Sequence, residues 1–241
     1  MLTQWARLIF ATPGEGPPLW LQVLLPALWL LLVFGLAEAL NRLQKPVSSE
    51  LARKTVHIGV GNVILLAWWL EVPTWLGLGA ATLFAGLMGL SYRLPILRSI
   101  NGVGRQSFGT LFYALSIGTL ILAFWPAGLP QYAALGILVM AWGDGLAALV
   151  GQRWGKHVYK IGGMTKTLEG SLTMVLASYT VTAIVLALAQ GPSLATLLLI
   201  PLPVALLAAA LEMFSIKGID NLSVPLGSAL VAWGLTVALG I

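Results

Sequence analysis

Cysteine is absent from this chain, and charge nearly so: only 9% of its 241 residues are Asp, Glu, Lys or Arg. Without a thiol there is no cysteine nucleophile, no thiolate metal ligand, no redox couple and no disulfide framework. A soluble domain carries roughly 25% charged residues. Scarcity on this scale excludes a soluble enzyme, a disordered chain and a coiled coil. Strict polar–apolar alternation is also missing, which excludes an outer-membrane barrel. No repeat, linker or low-complexity tract divides residues 1–241, so they read as one domain. What the sequence has in plenty is apolar length. It is 59% hydrophobic with a mean hydropathy of +0.93, in runs of about 20 residues that can cross a bilayer as helices. The expected fold is all-α: a polytopic helical membrane protein.

The apolar runs predict about eight spans: 18–40, 54–70, 72–92, 107–125, 130–150, 168–189, 193–212 and 222–241. Turn residues punctuate them, as at Val72-Pro73, Trp125-Pro126, Leu129-Pro130 and Gly191-Pro192. Pro201 and Pro203 fall inside the seventh run and should kink it, since each removes a backbone donor. The first run, with Arg7 before it and Ala37-Glu38-Ala39 within it, has the outline of a signal peptide. Its apolar part is too long for one, so a retained span is expected.

Charge then sets the orientation. Arg42, Lys45, Arg53 and Lys54 lie between the first and second spans, and Arg93, Arg98 and Arg105 between the third and fourth. Arg153, Lys156, Lys160 and Lys166 lie between the fifth and sixth, and Lys217 between the last two. The other side receives only Arg7. By the positive-inside rule these loops face the cytosol and both termini face away. The net charge of +5 therefore reports topology and the lipid bilayer as partner, with no nucleic acid.

Topology does not account for the acids. Glu50, Asp144, Glu169, Glu212 and Asp220 crowd the same cytosolic edge. Carboxylates among cations at one membrane edge look like a site for a metal-bound polyphosphate. Asp144, in Gly143-Asp144-Gly145, sits nine residues before Arg153. That is about 13 Å along a helix, inside the apolar layer, where an ionised carboxylate must be paired or metal-bound. Pairing with a nearby Arg is the bland alternative. Asp144, Ala148, Gly151 and Gly155 share one stripe, whose small residues permit close approach of a backbone or a ligand.

Three further segments carry polar residues at span ends. Gly162-Gly163-Met164-Thr165-Lys166-Thr167-Leu168-Glu169-Gly170-Ser171 opens the sixth span from a flexible loop, offering free backbone N–H groups beside Lys166 to phosphate oxygens. Glu169 there either ligates a metal or merely offsets the helix dipole. Neither Gly151-Gln152-Arg153-Trp154-Gly155-Lys156 nor Gly102-Val103-Gly104 makes a P-loop. Arg53, His57 and Gly61 form a stripe flanked by Lys54 and Asn62. Cations at a helix start are unfavourable, so anionic partners are expected, although topogenic charge and an interhelical bond to His57 are alternatives. Glu212, at a helix end that disfavours it, calls for a cation or metal, while Asp220 or Asn221 either belongs to the site or caps the last helix. Glu38 and Arg42 are spaced for a surface pair.

Together these segments resemble the polyprenol kinase family, which includes phytol, farnesol and dolichol kinases, and most of all its phytol kinase branch. The resemblance runs from about Glu50 onward. It rests on Arg53-Lys54 with His57 and Gly61-Asn62; Gly143-Asp144-Gly145 with Ala147, Gly151 and Gly155-Lys156; Lys166-Thr167 with Glu169-Gly170-Ser171; and Asp220-Asn221 with Val224-Pro225-Leu226. The stretch from Asp144 to Gly170 is also similar to the CTP-handling region of phosphatidate cytidylyltransferases, but the long C-terminal signature of those enzymes is absent. The resemblance implies phosphoryl transfer from CTP to a membrane-borne isoprenoid alcohol, with phytol foremost, at the cytosolic interface. It implies Mg²⁺ on Asp144, Glu169 and, less directly, Asp220. Phosphates would be held by Arg53, Lys54, Lys156 and Lys166 with Thr167, Gly170 and Ser171, and Asp144 or His57 would take the proton. A cytidylyltransferase and an ion-coupled transporter are the alternatives, the second disfavoured by an opposite face almost bare of charge.

Overall fold

A computed structural model describes residues 16–43, 49–93, 108–161 and 163–241. Arg7, Lys45, Arg98, Arg105, Gly162 and the Gly102–Gly104 stretch lie outside them. Helix α1 covers Leu19–Leu43, α2 Ser49–Gly61, α3 Val63–Trp69, α4 Thr74–Arg93, α5 Gly109–Phe124 and α6 Pro130–Trp154. After a short hairpin, α7 covers Leu168–Gln190, α8 Pro201–Met213 and α9 Asp220–Leu239. The protein is an all-α polytopic membrane protein with one small β exception.

Among the described residues five helical stretches are long and apolar enough to cross a membrane: Leu19–Arg42, Pro130–Trp154, Leu168–Gln190, Ala195–Met213 and Asp220–Leu239. The apolar parts of α4 and α5, Thr74–Leu90 and Gly109–Phe124, are shorter. The expected span 54–70 is split at Asn62 into α2 and α3. The count of eight thus resolves into five full-length helices and three regions of shorter ones.

Helix ends follow local chemistry. Pro130 occupies the first turn of α6, where a missing N–H costs nothing. Thr167 caps α7, its Oγ1 accepting from Gly170 N at 3.2 Å. The kink expected at Pro201 takes the form of a π segment, Ala195–Leu199, after which α8 restarts on Pro201 itself. At the turn after α3, Gln22 donates to the Leu70 carbonyl and the Trp125 indole to the Val72 carbonyl. These bonds satisfy acceptors that the helix end leaves free.

Helix α6 is the axis of the bundle. In its most apolar 18-residue window 67% of residues are buried, against 11% for α1, which lies at the periphery. Its length from Ala133 to Ala141 is almost wholly buried. Two glycines let neighbours close on it. A Cβ on Gly145 would meet Ile58 of α2 at 2.6 Å, and one on Gly143 would meet Met174 of α7 at 2.6 Å. Asp144 is therefore held between two tight helix contacts.

The stretch from Gly162 toward the sixth span, expected as a flexible loop, instead contributes to an antiparallel hairpin of β1 (Val158–Ile161) and β2 (Met164–Thr167). Gly163 takes the positive φ of 79° in its turn, and Tyr159 faces Lys166 across the ladder. The preceding stripe also resolves. A Cβ on Gly151 would fall 2.8 Å from Thr167 Oγ1 and 3.6 Å from the Gly170 backbone, so this glycine admits another helix rather than a ligand.

Candidate active site

Asp144 faces α2. Lys54 Nζ sits 2.5 Å from its Oδ2, and the lysine is only 3% exposed. A cation this far from water is stable only against a carboxylate, so each residue explains the other. The partner is Lys54 rather than an arginine. One turn further along α2, His57 Nε2 lies 3.4 Å from the same oxygen without making a hydrogen bond. Its imidazole stacks on Tyr113 of α5, centroids 4.6 Å apart and planes 30° from parallel. Arg53, by contrast, points outward and binds Glu50 through two bonds of 2.9 and 2.6 Å. Both cations have anionic partners, although the reason expected for it fails: α2 begins at Ser49, with Glu50 in its first turn, so Arg53 and Lys54 lie in the second turn and not at the helix start.

The start of α9 completes this cluster. Asp220 is 5% exposed and lies within electrostatic range of Asp144, as does Glu212 at the end of α8. Ser215 hydrogen-bonds its side chain, while Oδ1 has no partner among the described residues. Neither Asp220 nor Asn221 caps the helix through its side chain: the preceding residue is Ile219, and Asn221 Nδ2 donates back to the Gly218 carbonyl at 3.3 Å.

A second cluster gathers around the hairpin. Lys166 reaches the end of α8, where its ammonium meets both the carboxylate and the backbone carbonyl of Glu212. The cation that Glu212 required is therefore Lys166. Tyr159 Oη and Ser171 Oγ, 2.6 Å apart, pin the hairpin to α7. Glu169 turns toward the hairpin entry. Its carboxylate lies 2.7 Å from His157 Nδ1 and accepts the His157 backbone N–H at 3.3 Å. Lys156 is exposed, and the Glu38–Arg42 surface pair forms at 2.8 Å.

The structure thus unites Lys54, His57, Asp144 and Asp220, with Arg53 and Glu50 at their edge. Glu169 stands apart from Asp144, with His157 as its partner. Among the described residues no three His, Asp or Glu side chains converge as a cation cage. Tyr113, Ser215 and His157 escaped the sequence reading. Tyr113 sits in an apolar run with no motif around it, and no spacing signals its meeting with His57.

The chain has relatives among known proteins. It is 57% identical to a phytol kinase of Synechocystis sp., over 90% of its own length and 92% of that protein's. The chain belongs to the polyprenol kinase family, on its phytol kinase branch. A probable phytol kinase of Triticum aestivum, described as chloroplastic, is 26% identical over 83% of this chain and 73% of its own. The chloroplastic farnesol kinase of Arabidopsis thaliana is 30% identical over 54% of this chain and 45% of its own length. No protein-family model and no solved structure matches the chain.

Proposed function

We propose that this kinase transfers the γ-phosphoryl group of CTP to phytol at the cytosolic membrane edge, giving phytyl phosphate and CDP. The observation that carries the reading is the buried Lys54–Asp144 pair beside His57, set within a helix that is otherwise apolar. An acceptor of this kind dissolves in the bilayer while the nucleotide stays in water, so the chemistry belongs where a charged cluster meets hydrocarbon. The twelve basic residues assigned to one side support a cytosolic site.

In this mechanism the phytol oxygen attacks the γ-phosphorus in line and the bond to the β-phosphate oxygen breaks. CDP departs, and the hydroxyl proton passes to Asp144 or His57. Such a transfer needs positioning and charge neutralisation more than covalent help. Mg²⁺ on a nucleotide takes one or two carboxylates plus phosphate oxygens rather than a full protein cage. Asp144 and Asp220 fit that requirement, the free Oδ1 of Asp220 most directly. Bound Mg²⁺ would supply charge neutralisation on the triphosphate. Lys54 then gives up Asp144 and turns to a phosphate. Arg53 and Lys156 add charge from the exposed rim, and Lys166 does so by leaving Glu212, with Thr167, Gly170 and Ser171 beside it. Glu169 would hold the ion only if released from His157.

The test is a radiolabel assay on purified protein, crossing CTP, UTP, GTP and ATP with phytol, geranylgeraniol, dolichol and diacylglycerol. Phytyl phosphate with release of CDP is expected. Release of pyrophosphate, or exclusive use of diacylglycerol, would overturn the proposal.

A further inference from the structure

A buried hydroxyl without a hydrogen-bond partner destabilises a fold, so a protein that keeps one needs a reason. Tyr113 is such a case. It is 3% exposed, and its Oη has no partner among the described residues. Its ring meanwhile stacks on His57, whose Nε2 is likewise unpartnered and faces Asp144. Two unpartnered polar atoms on stacked rings therefore lie next to one another, and one of them, His57 Nε2, is 3.4 Å from the carboxylate of the proposed reaction.

The surrounding backbone is built close to this hydroxyl. A Cβ on Gly61 would lie 2.5 Å from Tyr113 Oη and 2.5 Å from Ala141 Cβ, so only glycine lets α2 approach here. The next residue, Asn62, is where α2 and α3 separate. Its Oδ1 accepts from Trp142 Nε1 of α6 at 2.9 Å, and this pair is exposed midway along the bundle. Trp142 also lines an apolar groove of about 290 Å³ between α6 and α7, with Leu146, Leu176, Ala177 and Val181. The Asn62–Trp142 pair thus borders the groove, and Gly61, next to Asn62 in the chain, closes on the Tyr113 hydroxyl.

We propose that Tyr113 receives the hydroxyl of the acceptor alcohol, which enters from the bilayer past the Asn62–Trp142 pair. This rests on the isoprenoid-alcohol reading above and assigns a further binding residue within it. Tyr113 Oη donates to the alcohol oxygen, leaving the alcohol O–H free to point toward Asp144. The apolar tail stays in the groove, where burial of each CH₂ favours binding.

The experiment compares purified wild-type protein with Tyr113→Phe, which keeps the ring stack and removes only the oxygen. Initial rates are measured against phytol and against CTP, and thermal unfolding is followed with and without phytol in the absence of nucleotide. The expected result is an alcohol KM raised at least fivefold, a nucleotide KM within twofold, a smaller phytol-induced rise in Tm, and an unliganded Tm that does not fall. A smaller change in alcohol KM, an equal rise in both KM values, or a lowered unliganded Tm would overturn the assignment. If wild-type protein phosphorylates no alcohol, the functional proposal falls by itself. The phytol-induced shift then still decides whether Tyr113 binds the hydroxyl.

Discussion

Asp144 and Glu169 are both acids on apolar helices, one inside α6 and one in the first turn of α7, and the sequence offers both as metal ligands. Their surroundings differ in every physical respect. Asp144 lies inside α6, between glycine contacts, against a lysine that is itself buried. Glu169 stands in the first turn of α7, where the helix dipole favours a negative charge, and its partner His157 is exposed. One carboxylate has required a whole neighbouring helix to be built around it. The other has found its partners within a dozen residues of chain, in the hairpin that precedes it. The contrast separates a charge that a neighbouring helix must neutralise from one that is satisfied locally at a helix end.

The largest effect that tests this contrast is at Asp144. Asp144→Asn should lower kcat by at least about a thousandfold, or roughly 4 kcal/mol of barrier. It should also destabilise the protein, because Lys54 is left as a buried unpaired cation, a change that costs about 3–5 kcal/mol. The double variant Lys54→Met with Asp144→Asn should recover Tm without recovering turnover. Activity retained within tenfold in the single variant would remove Asp144 from the chemistry.

Lys166 comes next. Lys166→Met keeps the stem and removes the charge that meets Glu212. It should lower kcat or raise the CTP KM by about ten- to a hundredfold, with the alcohol KM little changed. Steady-state kinetics that show the reverse pattern, with CTP use spared and alcohol use impaired, would exchange the two ends of the site.

Much of this architecture was legible in the sequence, because the membrane imposes simple rules. Apolar run length located most of the helices, and the unfavourable placement of Glu212 at the end of α8 announced that it needed an opposite charge, whereas α2 starts before Lys54 and gives it no such signal. What could not be read was which charge. Lys54 and Asp144 are 90 residues apart, and Lys166 and Glu212 are 46 apart; only the packing of α2 on α6 and of the hairpin on α8 joins them. The hairpin was legible and was missed: Gly162-Gly163 stands between the two β-prone runs Val158–Ile161 and Met164–Thr167, a hairpin signal that was read only as loop flexibility. Tyr113 was missed because a tyrosine in an apolar span looks like any other core aromatic.

Glu169 supplies a smaller test. If its carboxylate mainly holds His157 and the α7 dipole, Glu169→Gln should cost no more than about tenfold in kcat/KM, far less than Asp144→Asn. The Mg²⁺ concentration giving half-maximal rate should stay within about threefold of wild type. A loss matching that of Asp144→Asn, together with a raised Mg²⁺ requirement, would show that Glu169 leaves His157 for the ion and that the two acids act as one site.

The smallest expected effect on activity, and the broadest consequence, belongs to single-cysteine labelling. The chain has no cysteine of its own, so each introduced thiol is the only reactive one. Lys160→Cys lies on the exposed part of β1 and Gly191→Cys at the turn that ends α7. These positions are the two ends of one helix-spanning unit, so a membrane-impermeant maleimide should modify them from opposite faces. Position 160 should react from the cytosol, with the basic loops, and position 191 only from the other side. Neither position contacts Asp144 or Lys166, so Lys160→Cys should keep its rate within about twofold, and the label reports orientation in working protein. Labelling of position 160 from the non-cytosolic face would invert the bundle. Both clusters would then lie where CTP is not supplied, and the comparison between a buried and an interfacial carboxylate would have to be argued for a different donor.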